Sequence, residues 1–128
     1  MSHMVVMNIP KIKNMKSLEK ACLSLGLKLD LNKKTATYWA GNKMQCDGVI
    51  SCPGTNYEIA LKKDEKGLYS ISMDSYCPKL SGKAGHNGGK LSQAYQIEEH
   101  KRAARNAGKE VIGCTVGANG TIELRIKA

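Results

Sequence analysis

The chain is poor in the residues that usually fill the largest core positions. Its 128 residues include no phenylalanine and a single tryptophan, and aromatic residues make up 5% of the total. Packing must therefore depend on leucine, isoleucine, valine, methionine and tyrosine. No apolar run approaches the roughly 20 residues that cross a bilayer, and the N-terminal sequence lacks the basic segment and cleavage site of a signal peptide. These absences predict a cytoplasmic protein without membrane contact.

Acidic residues are scarce as well. The chain has 20 lysines and arginines against 11 aspartates and glutamates, which gives a formal net charge of +9. Such a charge favours encounter with anions through long-range attraction. Nucleic acid, a nucleotide, a membrane surface and an acidic protein all qualify, and a basic surface that only keeps the protein in solution is a further interpretation.

The five cysteines form an odd set without tight pairing. Reduced thiols are the expectation for a chain without an export signal. Cys46, Cys52, Cys77 and His86 could gather around zinc, but their spacing matches no zinc finger or ribbon. Isolated thiols are the favoured interpretation, and no metal or cofactor is predicted.

Residues 1–128 have the length of one domain. Asn14 is a candidate N-cap for a helix that ends at Gly26, and Cys22 lies on its apolar face. Alternating residues predict strands at 5–9, 27–31, 35–39, 57–63 and 68–74, with a short strand from Val49. A terminal hairpin turns at Asn119-Gly120, where the two residues tolerate positive φ angles; there Ile112, Cys114 and Val116 share a buried face.

The stretch Ser75–Lys90 has no apolar periodicity and holds four glycines. A second helix follows over residues 90–107. Its predicted inner face comprises Ala94, Ile97, Ala104 and Ala107. The order β-α-ββ-β-ββ-α-ββ predicts an α+β fold in which an antiparallel sheet carries two helices on one face.

The Gly-rich stretch leads directly into the N-terminus of that second helix. Glycine backbone N–H groups and nearby lysines there could form an anion nest, although the residues do not match a Walker A loop. A flexible surface loop is the alternative interpretation. The candidate ligand-binding residues are Lys83, His86, Gly88, Gly89, Lys90, Arg102 and Arg105.

No nucleophile–base pattern stands out, so an enzyme is not favoured and no catalytic residue is predicted. Tyr76, Tyr95 and Trp39 could offer stacking surfaces for bases. The motifs of sequence-specific nucleic-acid readers are missing from the sequence. The residues therefore favour a non-enzymatic module that binds nucleic acid or a nucleotide through the Gly/Lys-rich loop and the basic second helix.

Short matches in a fixed order carry a family resemblance. They comprise Met1-Ser2-His3, Leu18–Gly26, Tyr38-Trp39-Ala40-Gly41, Asp47-Gly48-Val49-Ile50, Tyr57–Leu61, Gly67–Asp74, Tyr95 and Gly120–Leu124. With this layout the chain resembles the plastid and cyanobacterial "hypothetical chloroplast frame 35" family, which also occurs in bacteria and phages. The segment after Asp74 departs from that family, since it is rich in Cys, Gly and Lys rather than in aromatic residues.

The resemblance implies no established activity. Members of the family often lie beside AAA-type ATPases, so the resemblance implies an adaptor or accessory role at most. A protein–protein adaptor, acting through a sheet edge or the N-terminal Ser2-His3 segment, is accordingly the alternative function. The oligomeric state stays open at this point.

Overall fold

A five-stranded antiparallel sheet forms the centre of the fold in the computed structural model, which describes residues 5–6, 11–74, 76–116 and 122–127. With strands numbered along the chain, its members are β1 (Val5–Val6), β2 (Lys28–Asp30), β5 (Gly48–Ser51), β6 (Glu58–Lys63) and β7 (Tyr69–Met73). Their spatial order is β1-β7-β6-β5-β2, and every neighbouring pair is antiparallel.

Three α-helices accompany the sheet: α1 (Met15–Ser24), α2 (Pro78–Ala84) and α3 (Gly89–Asn106). Asn14 caps α1 as predicted, because its side-chain Oδ1 accepts a hydrogen bond from Ser17 N at 3.0 Å. The α+β class and the two predicted helices are therefore confirmed, and α2 is an addition.

The main core lies between one face of the sheet and the helices. Alternation along the strands turns apolar residues of β5, β6 and β7 toward this side. Fully buried members are Leu18, Ala21 and Cys22 of α1, Ile50, Ile59, Leu61, Ile71 and Met73 of the sheet, Leu80 and Ala84 of α2, and Leu91 of α3. Cys22 is thus a core residue as predicted, and burial followed by the charge of Glu19 raises the pKa of its thiol to about 12.

A small hairpin covers the other face of the sheet. It consists of β3 (Thr35–Thr37) and β4 (Lys43–Gln45), and Ala36 packs on Val49 and Ala60. Buried Glu58 anchors this hairpin to the sheet, because its carboxylate accepts hydrogen bonds from Lys33 Nζ at 2.6 Å and from Thr37 N at 3.0 Å. Residues 41–43 were expected to form only a turn, but β4 begins at Lys43.

The C-terminal hairpin forms a sheet of its own from β8 (Glu110–Val116) and β9 (Ile122–Lys127). Its register slips by one residue between Val111 and Gly113. This bulge places Val111, rather than Ile112, on the face of Cys114, and Ile112 is 60% exposed. The prediction that Cys114 is a core residue is wrong, because it is only half-buried; the predicted turn at 119–120 lies outside the described residues.

Helix α2 occupies a stretch that sequence reasoning treated as a loop. Pro78 occupies one of its first two positions, which suits proline because the N–H it lacks has no partner there. Leu80 and Ala84, four residues apart, bury one side of the short helix. The strand predicted over residues 5–9 is described only as β1, and residues 7–10 lie outside the description. Within the described ranges, no helix is long and apolar enough to cross a membrane.

Candidate functional site

The seven predicted ligand-binding residues fall into two groups at opposite ends of α3. Fifteen residues separate Lys90 from Arg105, which corresponds to roughly 22 Å along a helix. One compact ligand therefore cannot contact both groups. The first group contains Lys83, His86, Gly88, Gly89 and Lys90, and the second contains Arg102 and Arg105.

The glycines between α2 and α3 serve the turn itself. Gly85 has φ +84°, and a Cβ there would lie 2.5 Å from Lys90 N, so only glycine fits. Gly88 N donates to Gly85 O at 2.9 Å, and Gly89 N donates to His86 O. Both N–H groups of the predicted anion nest are thus already used, and the backbone part of that prediction is wrong.

The side-chain ammonium groups of Lys83 and Lys90 lie near the C-terminal ends of helices. Lys90 Nζ donates to Gly82 O near the end of α2 at 3.0 Å. Lys83 Nζ lies beside Gly26, just past the end of α1, since a Cβ on that glycine would be 3.0 Å from it. Cations are favourable near helix C-termini. Neither lysine has an acidic partner among the described residues, so both add to the positive potential of the surface.

Arg102 belongs to a half-buried hydrogen-bond network rather than to a free basic face. Its Nε and Nη2 donate to the two carboxylate oxygens of Glu99 at 2.7 and 3.3 Å. Ser17 Oγ donates to the same carboxylate at 2.8 Å, which joins α1 to α3. The bond from Arg102 is the largest cause that lowers the pKa of Glu99, and that carboxylate in turn raises the pKa of Arg102.

Tyr95 is a structural residue and offers no stacking surface. It is 7% exposed, and its hydroxyl oxygen accepts from the backbone N–H groups of Lys13 and Asn14, each at 3.2 Å. The prediction that Tyr95 stacks on bases is therefore wrong. Tyr76 and Trp39 remain accessible, at 66% and 37% exposure.

A cleft of about 310 Å³ lies between the C-terminal half of α3 and β8. We call it the basic cleft; its lining residues are Lys101, Arg105, Val111, Ile112, Gly113 and Cys114. A Cβ on Gly113 would meet the guanidinium of Arg125 from the paired strand, so that cation lies next to one of the lining residues. Neither Arg105 nor Arg125 forms an ion pair with any residue that the structure describes. Lys101 pairs with Glu98 at 3.9 Å, so the uncompensated positive charge at the cleft comes from Arg105 and, next to Gly113, from Arg125.

Arg125 and Gly113 were not among the predicted site residues. Their contact depends on the register of β8 and β9, in which Gly113 pairs with Arg125 across the bulge. The absence of a side chain at Gly113 is the only sequence signal for such an approach. Lys101 was not among the predicted site residues either, and it also lines the cleft.

The four candidate zinc ligands do not come together. Cys46 packs against the cluster of Ala36, Val49 and Ala60 on the hairpin side of the sheet, whereas Cys52 and Cys77 belong to the main core. His86 is exposed in the 3-10 turn before α3. Among the residues that the structure describes, no three His, Cys, Asp or Glu side chains form a group suited to a metal.

The burial of one carboxyl group, that of Asp74, was also not predicted from the sequence. Asp74 follows β7 and is 2% exposed; its Oδ1 accepts from Tyr76 N at 2.9 Å, which forms a local turn. Its Oδ2 is buried and has no hydrogen-bond partner within the described part of the chain. The position of Asp74 at the end of an alternating strand predicts a turn, but it does not predict that the side chain is buried.

Comparisons of the chain with protein-family models, with curated proteins and with solved structures found no match.

Proposed function

We propose that this protein is a non-enzymatic module of the cytoplasm that binds the phosphates of a single-stranded nucleic acid. The observation that carries the proposal is the basic cleft, which Lys101 and Arg105 of α3 line together with Gly113, the residue next to the Arg125 guanidinium. Uncompensated cations at a concave surface attract phosphate and release counterions when it binds.

The spread of positive charge favours an extended ligand over a nucleotide. Lys83 and Lys90 lie at one end of α3, and Arg105 lies roughly 22 Å away at the other. A strand can cross that distance, whereas a single nucleotide fills one end only. Because Tyr95 is buried, it offers no base-stacking surface on α3, and contacts to phosphates carry no sequence information by themselves.

Salt dependence tests this proposal first. Anisotropy of a labelled single-stranded oligonucleotide should report an affinity that falls with salt. Each phosphate contact adds about −0.7 to the slope of log affinity against log salt. Three contacts therefore give a slope near −2. A slope close to zero would exclude phosphate capture.

Charge reversal locates the binding surface. Lys101→Glu with Arg105→Glu should weaken binding at least about tenfold at low salt, because it converts two attractive contacts into repulsive ones. Lys16→Glu with Lys20→Glu is the matched control, since both lysines are exposed on α1 and the change in net charge is equal. Equal losses in the two double variants would assign binding to net charge alone and overturn the cleft as the site.

Cys114 gives an independent readout because its side chain lines the basic cleft. Saturating oligonucleotide should slow alkylation of Cys114. Cys46 is also half-buried but lies on the hairpin side of the main sheet, so its alkylation rate should not change. If the alkylation rates of both cysteines were unchanged, the oligonucleotide would bind at a surface other than the basic cleft.

A protein–protein adaptor is the second candidate. One observation favours it: β8 and β9 form a sheet with no third strand among the described residues, and Ile112 on it is 60% exposed. An added strand from a partner would pair with such an edge. As part of this second candidate, we propose that the chain belongs to the hypothetical chloroplast frame 35 family. We also propose that it has an accessory role for an AAA-type ATPase. Slower amide exchange in β8 and β9 on addition of a purified ATPase of that type would support it, and unchanged exchange would count against it.

A further inference from the structure

Two cysteines from distant segments, Cys52 and Cys77, lie where the turn after β5 packs on the first turn of α2. Cys52 Sγ lies 3.7 Å from Lys79 O, and Lys79 Nζ donates to Gly54 O at 3.0 Å. On the other side of the turn, Thr55 Oγ1 lies 3.3 Å from Cys77 Sγ. These three contacts bring the 52–55 turn against residues 77–79.

The turn links the two cysteines through Thr55. Thr55 N donates to Cys52 O at 3.4 Å, so the residue that contacts Cys77 is folded back onto Cys52. Both cysteines are reduced and buried, with exposures of 3% and 8%. Burial is the largest cause that raises the pKa of Cys52, and the adjacent Cys77 thiol raises it further, whereas Lys83 and Lys79 oppose the change.

We propose that Cys52 and Cys77 form a reversible intramolecular disulfide when a peroxide oxidises the protein. The thiolate of Cys77, the more exposed of the two, attacks one oxygen of hydrogen peroxide and breaks the O–O bond. That oxygen stays on sulfur as a sulfenic acid, and the other leaves as hydroxide and takes the thiol proton to form water.

The second step completes the exchange. Cys52 sulfur attacks the sulfenic sulfur, the S–O bond breaks, and the departing hydroxide takes the Cys52 proton to form a second water. Two thiols thus lose two electrons and two protons, and peroxide accepts them. The crosslink would join the 52–55 turn covalently to the start of α2, and so to the connection that leads into α3.

Peptide mapping of the native protein tests the proposal directly. Limited peroxide should yield a monomer that lacks the mass of two hydrogen atoms. Trypsin should then release residues 44–62 joined to residues 67–79, and dithiothreitol should separate them. Oxidation should also raise the Tm by several degrees, because the crosslink restricts the unfolded chain.

Variants identify the sulfur atoms. Cys46 shares a tryptic peptide with Cys52, so Cys46→Ser should retain the crosslink, whereas Cys52→Ser and Cys77→Ser should each lose it. Cys114→Ser is the surface control and should retain it. A peptide bridge through Cys46, or oxidation confined to Cys46 and Cys114 with no linked pair in the native protein, would overturn the proposal, and neither result depends on how well a variant folds.

Discussion

The five-stranded sheet and the C-terminal hairpin use similar residues in opposite ways. Ile59, Leu61 and Ile71 of the main sheet are fully buried beneath α1 and α2. On the hairpin, Ile112 is 60% exposed and Ile126 is 39% exposed. The difference shows that alternation of apolar residues produces a core only where another layer covers the strand.

Charges differ between the same two regions. Around the main core, Glu58 and Glu99 each accept hydrogen bonds from an adjacent element, and both acids hold a cation. At the hairpin, Arg105 and Arg125 have no acidic partner among the described residues. Stability is therefore concentrated in the first region, while charge available to a ligand is concentrated in the second.

The largest expected effect comes from emptying the main core. Leu61→Ala should lower the free energy of unfolding by about 2–5 kcal/mol, because it leaves a cavity among fully buried neighbours. Ile112→Ala on the hairpin should cost less than about 1 kcal/mol. Urea denaturation of both variants checks this, and similar losses would show that the hairpin is part of the same cooperative core.

A second, smaller effect is expected at the junction of α1 and α3. Tyr95→Phe removes the oxygen that accepts from Lys13 N and Asn14 N, which should cost about 1–3 kcal/mol. Tyr76→Phe removes the same hydroxyl from a side chain that is 66% exposed and should be neutral. Thermal unfolding compares the pair, and equal Tm values would contradict the structural role of Tyr95.

The third prediction concerns the loss of folding stability at acidic pH. Because the folded pKa of Glu99 is below its unfolded value of about 4.3, its contribution is present above that pH and is lost as pH falls through the folded pKa. Glu99→Gln should therefore flatten the loss of stability below about pH 4.3. Glu98→Gln is the neighbouring control, since its nearest ammonium is 3.9 Å away.

Unfolding curves at several acidic pH values measure both variants. Asp64 has a lowered pKa as well, caused first by the N–H of Leu68 and then by Lys11, so part of the acid dependence should remain. If the stability of Glu99→Gln fell as steeply with decreasing pH as that of the unmodified protein, the Glu99 network would not contribute to the acid sensitivity.

The smallest expected effect tests the hairpin without disturbing the core. Gly113→Ala should change stability by less than about 0.5 kcal/mol, because its new Cβ meets only the flexible end of Arg125. Displacing that guanidinium should weaken oligonucleotide binding about twofold, as expected for an exposed charge contact. Arg125→Gln should weaken it similarly, and normal affinity in both would remove Arg125 from the binding surface.

Local patterns predicted much of the fold. The Asn14 cap and the spacing of Leu18 and Cys22 were sufficient for α1, and alternation was sufficient for the hairpin of β6 and β7. Helix α2 was missed because its buried side consists of only Leu80 and Ala84, which is too short for a periodic signal. The register slip at Val111 was missed because a bulge depends on pairing with the other strand.

The candidate site was less predictable. Gly88 and Gly89 were interpreted as possible anion ligands, but their N–H groups donate to Gly85 O and His86 O within the turn. Arg102 was expected on the solvent side, yet its partners Glu99 and Ser17 are known only once α1 packs on α3. Such partners are separated widely along the chain, so spacing alone cannot identify them.

The sequence by itself determined the α+β class, the boundaries of α1, the burial of Cys22 and the excess of positive charge. These features depend on local periodicity and on composition. Only the tertiary structure decided which cations stay unpaired, which residues of the last hairpin share a face, and that the turn of Cys52 packs against Cys77. The physical reason is that these outcomes depend on contacts between segments, whose free energy is decided by packing and strand register rather than by neighbours in the chain.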